Sequence, residues 1–312
     1  MDLSAPVAAI DCGTNSTRLL VADGRGQAIE RLMRITRLGE GVDATGSLSE
    51  AAIDRCLAVL HEYRQVMDGL GVERARLVAT SAARDAANGS DFLAAAAAAT
   101  GVVPELLSGQ QEGALSMAGA VAELNPSSAP FLVLDIGGGS TELVAGNGPD
   151  DPDLAAVSLQ VGCVRITERY LAHDPPHHAD LEAAADMVGD ALDRAIVEHP
   201  RFLDKPSLVG LAGTVTTLSS LDQGLTTYDR QRVHHSRLTL DRVDTWFHRL
   251  ATEDHAARLA RPGMVEGRED VIVGGSLILS VVMHRLGIDG CLVSEADILD
   301  GLVASQVAGR TR

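Results

Sequence analysis

The sequence has no apolar run approaching the length of a bilayer crossing, and its start, MDLSAPVAAIDCG, has no basic segment before it passes into a strand pattern. A cytoplasmic chain with no membrane partner is predicted. The four cysteines, Cys12, Cys56, Cys163 and Cys291, include no close pair, which removes the spacing of a zinc or dithiol redox motif and fits a reducing compartment. They read as small core residues. Cations are in deficit: 26 Lys and Arg against 43 Asp and Glu give a formal net charge of -17, which argues against general nucleic-acid binding. Any phosphate ligand must then meet a local positive site in an acidic body. No GxxxxGK[ST] loop is present, so P-loop chemistry has no support. The adjacent pairs His177-His178 and His234-His235 lack metal-site spacing, because neighbours on a strand point to opposite faces, and both pairs read as solvated loop or surface histidines. Trp246, the lone tryptophan, lies on an amphipathic helix and reads as core or interface.

What is present is an ordinary globular composition, 46% hydrophobic and 22% charged, in 312 residues, enough for roughly two domains. The stretch that organises the chain is Phe131 to Val144, FLVLDIGGGSTELV. A buried-strand run, Phe131 to Leu134, leads into Asp135, then Gly137, Gly138, Gly139, Ser140, Thr141 and Glu142, before apolar residues resume. Three consecutive glycines weaken both strands and are tolerated where the backbone turns tightly or another group approaches closely. Successive bare amides in such a turn form a nest for phosphate, and Asp135 and Glu142 supply hard oxygens suited to magnesium. Taken alone, the stretch reads equally as a glycine-rich hairpin with two solvated carboxylates.

A second such stretch lies near the N-terminus. Val7 to Ile10 is a strand ending at Asp11, followed by Cys12, Gly13, Thr14, Asn15 and Ser16, and a strand resumes at Arg18. Two such turns suggest two related halves facing one another across a cleft. In order, a third strand is expected at 27–33 and a helix at 49–67 with Ser47 and Glu50 at capping-box spacing. A strand at 76–80 precedes Ser81 to Arg84, and the alanine-rich run 94–99 is helix. Ser108-Gly-Gln-Gln-Glu112 opens a helix to about 124. Asn125 to Pro130 is the best domain boundary in the chain. The second half continues with a strand at 157–161, helices at 165–171 and 179–198, and a strand at 208–212 running into Gly213 and Thr214. A strand at 238–240 follows, then a helix capped by Asp241, a shorter one capped by Thr252, a helix at 272–284, a strand at 291–293 and a closing helix at 298–307. The class is α/β, with a first domain at 1–125 plus a C-terminal helix at about 296–312, and a second at 126–295.

The turns Asp11 to Ser16 and Asp135 to Glu142, with Gly213-Thr214-Val215-Thr216, resemble the phosphate and nucleoside signatures of the actin, sugar kinase and Hsp70 superfamily. Within it, Arg18, Thr80-Ser-Ala-Ala-Arg84, Ser108 to Glu112, the DIGGGSTE turn and Glu266-Gly-Arg-Glu-Asp270 resemble the exopolyphosphatase and guanosine pentaphosphate phosphohydrolase (Ppx/GppA) family, over nearly the whole chain. That resemblance implies two ribonuclease H-like (actin-like ATPase) domains, mixed sheets flanked by helices, with an interdomain cleft, in the short form lacking an added C-terminal helical domain. It also implies magnesium-dependent removal of the terminal phosphate from inorganic polyphosphate. Glu112 matches the catalytic glutamate, which orients or deprotonates the attacking water. Gly13, Thr14, Asn15, Ser16, Arg18, Arg84, Gly137, Gly138, Gly139, Ser140, Thr141 and Arg268 match phosphate contacts, Gly213 and Thr214 a nucleoside or phosphate contact, and Asp135, Glu142 and Asp11 the magnesium ligands. Gln110-Gln111 stands where the family often has a further acid. Ser294 to Gly301 departs from the family by lacking an arginine before its acid and glycine.

Rival readings are a guanosine pentaphosphate or nucleotide terminal phosphohydrolase, a non-catalytic sensor of polyphosphate or an alarmone, and ATP-dependent phosphotransfer, which the match of Glu112 to a water-activating position disfavours. The resemblance leaves a homodimer open as the assembly.

Overall fold

The computed structural model describes residues 5–204 and 206–308. The expected closing helix is seen as far as Ala308, and 309–312, like the first four residues of the N-terminal reading, lie outside the described range. The chain divides into two compact units, passing from the first to the second after Gly119 and returning to the first after Ala296. The segment Asn125 to Pro130 is instead a 3-10 turn, Pro126–Ser128, whose Ser127 amide is capped by Asn125 Oδ1 at 3.0 Å.

In the first unit the strands are β1 (Val7–Cys12), β2 (Ser16–Ala22), β3 (Ala28–Ile35), β4 (Arg74–Ala79) and β5 (Pro104–Leu106), in the order β3-β2-β1-β4-β5. The first three form an antiparallel meander, and β1, β4 and β5 run parallel. Every residue of β1 is buried, as expected of a strand covered on both faces. One face carries α2 (Glu50–Gly69) and α4 (Gly89–Thr100), which seal a core around Ile10, Leu19, Tyr63, Leu77 and Phe92. The other packs Val7, Ala9, Leu20 and Val78 against Ile298, Leu299, Leu302 and Val303 of α13 (Ile298–Ala308). Two short helices, α1 (Val42–Thr45) and α3 (Ser81–Asp85), fill connections, and α5 (Gly109–Ala120) follows β5. The cap of α2 differs from expectation: Ser49, not Ser47, holds the first turn, accepting the Ala52 amide at 3.2 Å.

Glycines let α5 and α13 touch backbone to backbone. A side chain at Gly301 would fall well inside contact distance of the Leu115 carbonyl, and one at Gly119 would do the same against the Asp297 carbonyl. Gly301→Ala therefore displaces one helix from the other. We expect a loss of about 1–3 kcal/mol, seen as a lower urea midpoint, because backbone cannot move aside as a flexible side chain can.

The second unit has β6 (Phe131–Ile136), β7 (Thr141–Gly146), β8 (Ala155–Leu159), β9 (Ser207–Leu211), β10 (Arg237–Thr239) and β11 (Gly290–Val293), in the order β10-β11-β9-β6-β7-β8. Its meander β6-β7-β8 and parallel partner β9 repeat the arrangement of β1, β2, β3 and β4. The helices are α6 (Cys163–Tyr170), α7 (His178–Glu198), α8 (Ala212–Asp222), α9 (Arg230–Val233), α10 (Leu240–Ala251), α11 (His255–Leu259) and α12 (Ile272–Leu286). They close one large core in which α12 is buried along most of its length. Trp246 belongs to that core and donates Nε1 to Asp222 Oδ1 at 3.0 Å.

Two caps lie away from their expected places, since the side chain that reaches the free amide of the first turn, whatever its type, begins the helix. Thr239 rather than Asp241 caps α10, and Asp254 rather than Thr252 caps α11. The histidine pairs lie off the strands, as loop or surface residues should: His177 stands at the N-cap position of α7 and His178 opens that helix, and His234 and His235 sit in the turn after α9. His234 and His235 stack with ring centroids 3.8 Å apart, His235 being in the left-handed region at φ 59°. His234 Nδ1 accepts the Glu295 amide at 3.0 Å, so its Nε2 carries the proton and donates to Glu123 at 3.2 Å. That tautomer makes it a hydrogen-bond donor rather than a metal ligand. His177 stacks on His173, both facing Asp180, while His178 turns to Glu182.

Candidate active site

The two glycine turns are copies of one device, Asp-x-Gly-x-x-Ser-Thr, at Asp11 to Thr17 and Asp135 to Thr141. Each joins the first two strands of its meander, closed by the pairs Cys12 with Thr17 and Ile136 with Thr141. In each, the glycine is favoured by a close approach, since a Cβ would sit tightly at 3.1 Å from the Ser16 carbonyl at Gly13 and 3.0 Å from the Ser140 carbonyl at Gly137. In each, a later segment takes the carbonyls of the turn. The amides of Thr36 and Arg37 donate to Asn15 and that of Gly39 to Thr14; the amides of Cys163, Val164 and Arg165 donate to Gly137 and Gly138. Arg165 adds its Nε to the Gly139 carbonyl at 2.8 Å. With the carbonyls turned away, the Gly138 and Gly139 amides meet no acceptor among the described residues, which is the condition for an anion nest. Gly162 seals this geometry, since a side chain there would collide with the backbone of Gly138 and Gly139.

The turns differ at one register position. Opposite Asp11 stands Arg18; opposite Asp135 stands Glu142. In the first unit Arg18 donates Nη2 to Asp11 Oδ2 at 2.7 Å and Nη1 to Asp297, which in turn lies 3.8 Å from Arg31. Arg31 also holds Asp300 at 2.6 Å. Asp11 is 3% exposed, and its Oδ1 is buried without a hydrogen-bond partner. Burial pushes the Asp11 carboxyl above the ordinary carboxylate range, against the pull of Arg18, and Asp297 adds to the rise. A raised folded value contributes stability below the unfolded value, near 3.8, and loses it as pH rises through the folded one. Asp11→Asn is therefore expected to raise the thermal midpoint at neutral pH while lowering activity, with the difference from the parent closing as pH falls; a lower midpoint at neutral pH would overturn this.

Glu112 lies in the first turn of α5. Its helix start is a reciprocal capping box: the Gln111 amide donates to Ser108 Oγ at 3.3 Å and the Ser108 amide to Gln111 Oε1 at 2.9 Å. Gln111 thus has a structural task. Arg84, at the end of α3, donates Nη1 to the Leu107 carbonyl at 2.8 Å and reaches Glu112 Oε2 at 3.6 Å. Arg84 Nη2 is buried without a hydrogen-bond partner. At the other end of α3, Ser81 Oγ bonds Thr14 Oγ1 at 2.9 Å, which ties this helix to the first turn.

In the second unit Asp135 and Glu142 are directly paired across β6 and β7, both buried, and Ser158 Oγ donates to Glu142 Oε1 at 2.7 Å. Thr141 directs its hydroxyl to the Val161 carbonyl. The Arg268 guanidinium lies against Gly213, where any Cβ would overlap it. Thr214 is buried instead, its Oγ1 turned toward Gly275.

A sequence profile of the Ppx/GppA phosphatase family matches residues 20–308. The chain belongs to that family. Exopolyphosphatase 2 of Mycobacterium tuberculosis is 44% identical to it over 96% of this chain and 98% of the relative. Among solved structures, an exopolyphosphatase-like protein aligns at a TM-score of 0.91 with 35% identity over 98% of this chain and all of its own. The Ppx/GppA family member of Aquifex aeolicus aligns at 0.79 with 31% identity over 99% of each chain. These neighbours share the mixed α/β architecture of two sheets flanked by helices.

Family members generally depend on a divalent metal ion. The second unit fits one: two carboxylates at paired strand positions form a hard, all-oxygen donor set. Asp11 offers a single oxygen, because Arg18 holds the other. Clusters of three potential ligand atoms do occur among the described residues, at Glu123-His234-His235, His173-His177-Asp180 and His255-Glu269-Asp270, all away from both turns in sequence. The residues that sequence reasoning missed are Ser158, Arg165 and Asp297. Arg165 had a usable signal, an arginine just after Gly162 at the head of a helix; Asp297 had none, its partner Arg18 lying 279 residues away.

Proposed function

We propose that this chain is an exopolyphosphatase that hydrolyses the terminal phosphoanhydride bond of inorganic polyphosphate, releases orthophosphate and uses magnesium as its metal ion. The near-full-length identity to Exopolyphosphatase 2 carries the substrate assignment. The placement of Glu112 at a capped helix start beside Arg84 supports the chemistry.

Glu112 takes the proton of water as its oxygen bonds to the terminal phosphorus and the bridging P–O bond breaks. Arg84 neutralises charge next to that carboxylate, and Arg18 and Arg268 are guanidinium forks for phosphate oxygens. The amides of Gly138 and Gly139 receive further oxygens. Asp135 and Glu142 would hold the metal ion, which when bound polarises the phosphate and neutralises developing charge. Thr214 takes no ligand in this reading.

The net charge of -17 favours short polyphosphates, since each added phosphate brings more charge to an acidic body. A phosphate-release screen over polyphosphates of defined length, guanosine pentaphosphate and ATP tests the whole reading. Fastest turnover on short polyphosphate is expected. Faster release from guanosine pentaphosphate would move the assignment to nucleotide hydrolysis, and binding without release would make the chain a sensor.

A further inference from the structure

One buried acid of the second unit has no part in the chemistry above. Glu269 comes directly after Arg268 in the connection leading to α12, and it is 4% exposed. Its Oε2 accepts the Gly267 amide at 2.6 Å, and its Oε1 faces His255 Nε2 at 3.4 Å. Its own carbonyl accepts Nε of Arg258 at 2.9 Å. Arg258 is buried as well, and it fastens this connection to Asp174 at 2.7 Å.

The bond to Gly267 fixes the backbone on the N-terminal side of Arg268. Gly267 is left-handed, at φ 81°, a conformation that needs glycine, and its buried amide has the Glu269 carboxylate as acceptor. The backbone on the C-terminal side is held too, because the Arg268 carbonyl accepts the amides of Val271 and Ile272 at 3.0 and 2.9 Å. Between these anchors the arginine side chain leaves at one angle, and the guanidinium lies on Gly213 at the head of α8.

We propose that Glu269 is a positioning residue for Arg268: its carboxylate holds the left-handed Gly267 turn and so aims the guanidinium at the phosphate chain. This rests on the reading of Arg268 as a phosphate contact. Glu269 touches no substrate. Its loss leaves the Gly267 amide buried without an acceptor, and the turn relaxes to satisfy it.

The test is steady-state phosphate release from polyphosphate of one defined length, with thermal midpoints measured on the same samples. Glu269→Ala is expected to raise KM roughly ten- to hundredfold while kcat changes less than about threefold. Glu269→Gln, whose amide oxygen still accepts from Gly267, recovers most of the loss. In an Arg268→Ala background, Glu269→Ala adds no further loss in kcat/KM, since a residue acting through another has nothing left to position. Should Glu269→Ala fail to fold, Gly267→Ala perturbs the same turn while leaving the acid in place, and its effect must likewise vanish in the Arg268→Ala background. If Arg268→Ala leaves KM unchanged, the phosphate reading of Arg268 falls. If Arg268→Ala raises KM but the Glu269 and Arg268 losses multiply, or Glu269→Ala leaves KM unchanged, the positioning role falls and Glu269 is only a structural acid.

Discussion

Glu112→Gln is expected to lower kcat by about a hundred- to ten-thousandfold while polyphosphate affinity stays within a few-fold of the parent, the range set by removing one well-placed general base. The substitution keeps the size of the side chain and its hydrogen-bonding capacity. It therefore leaves intact the Ser108–Gln111 cap and the place of α5 against α13. The ability to take a proton is lost, together with the negative charge beside Arg84. Phosphate release measured beside calorimetric binding of polyphosphate separates the two effects. Turnover within tenfold of the parent would remove Glu112 as the base, and equal losses in binding and turnover would make it a binding residue.

Arg18→Met is expected to give the largest loss of stability. The arginine is the cation between Asp11 and Asp297, which are 3% and 6% exposed. Taking the cation from between two buried acids leaves uncompensated negative charge, at about 3–5 kcal/mol, whereas removing one of the acids leaves the cation still paired. Arg18→Met with Asp11→Asn should therefore recover a substantial part of the loss. Urea unfolding of the parent, the single and the double variants measures it. A shift below about 1 kcal/mol for Arg18→Met would mean that water, rather than Arg18, satisfies these carboxylates.

Most of the strand and helix order was legible in the sequence because it rests on local signals. Apolar runs mark β1 and β6, and Asp-x-Gly-x-x-Ser-Thr marks a turn whose spacing leaves few other conformations. The cysteines were also legible, and all four are buried. What escaped depends on distance in sequence or on rotamers. Whether Ser47 or Ser49 caps α2 depends on which hydroxyl reaches the Ala52 amide, and composition does not decide that. The stacking of His234 on His235 needs a left-handed residue that no pattern announces. At the candidate site, the glycine turns could be marked from the residues themselves, whereas Glu112 and Arg84 could be named only through the family resemblance. The clasp of Arg18 by Asp297, at the head of α13, could not, because a chain that leaves a unit and returns carries no sequence mark of which acid it brings back.

The carbonyls of the second turn face the head of α6, and that arrangement reaches beyond shape. The Gly137 carbonyl belongs to the same peptide group as the Gly138 amide, and the Gly138 carbonyl to that of the Gly139 amide. Each of these carbonyls accepts a donor from the start of α6, whose end carries the positive pole of the helix. Electron density is drawn along each peptide toward its oxygen, so the N–H on the far side becomes the stronger donor. The helix thus lends its field to the turn through two peptide bonds, and if the turn holds phosphate as proposed, lengthening or fraying α6 is expected to tune phosphate affinity.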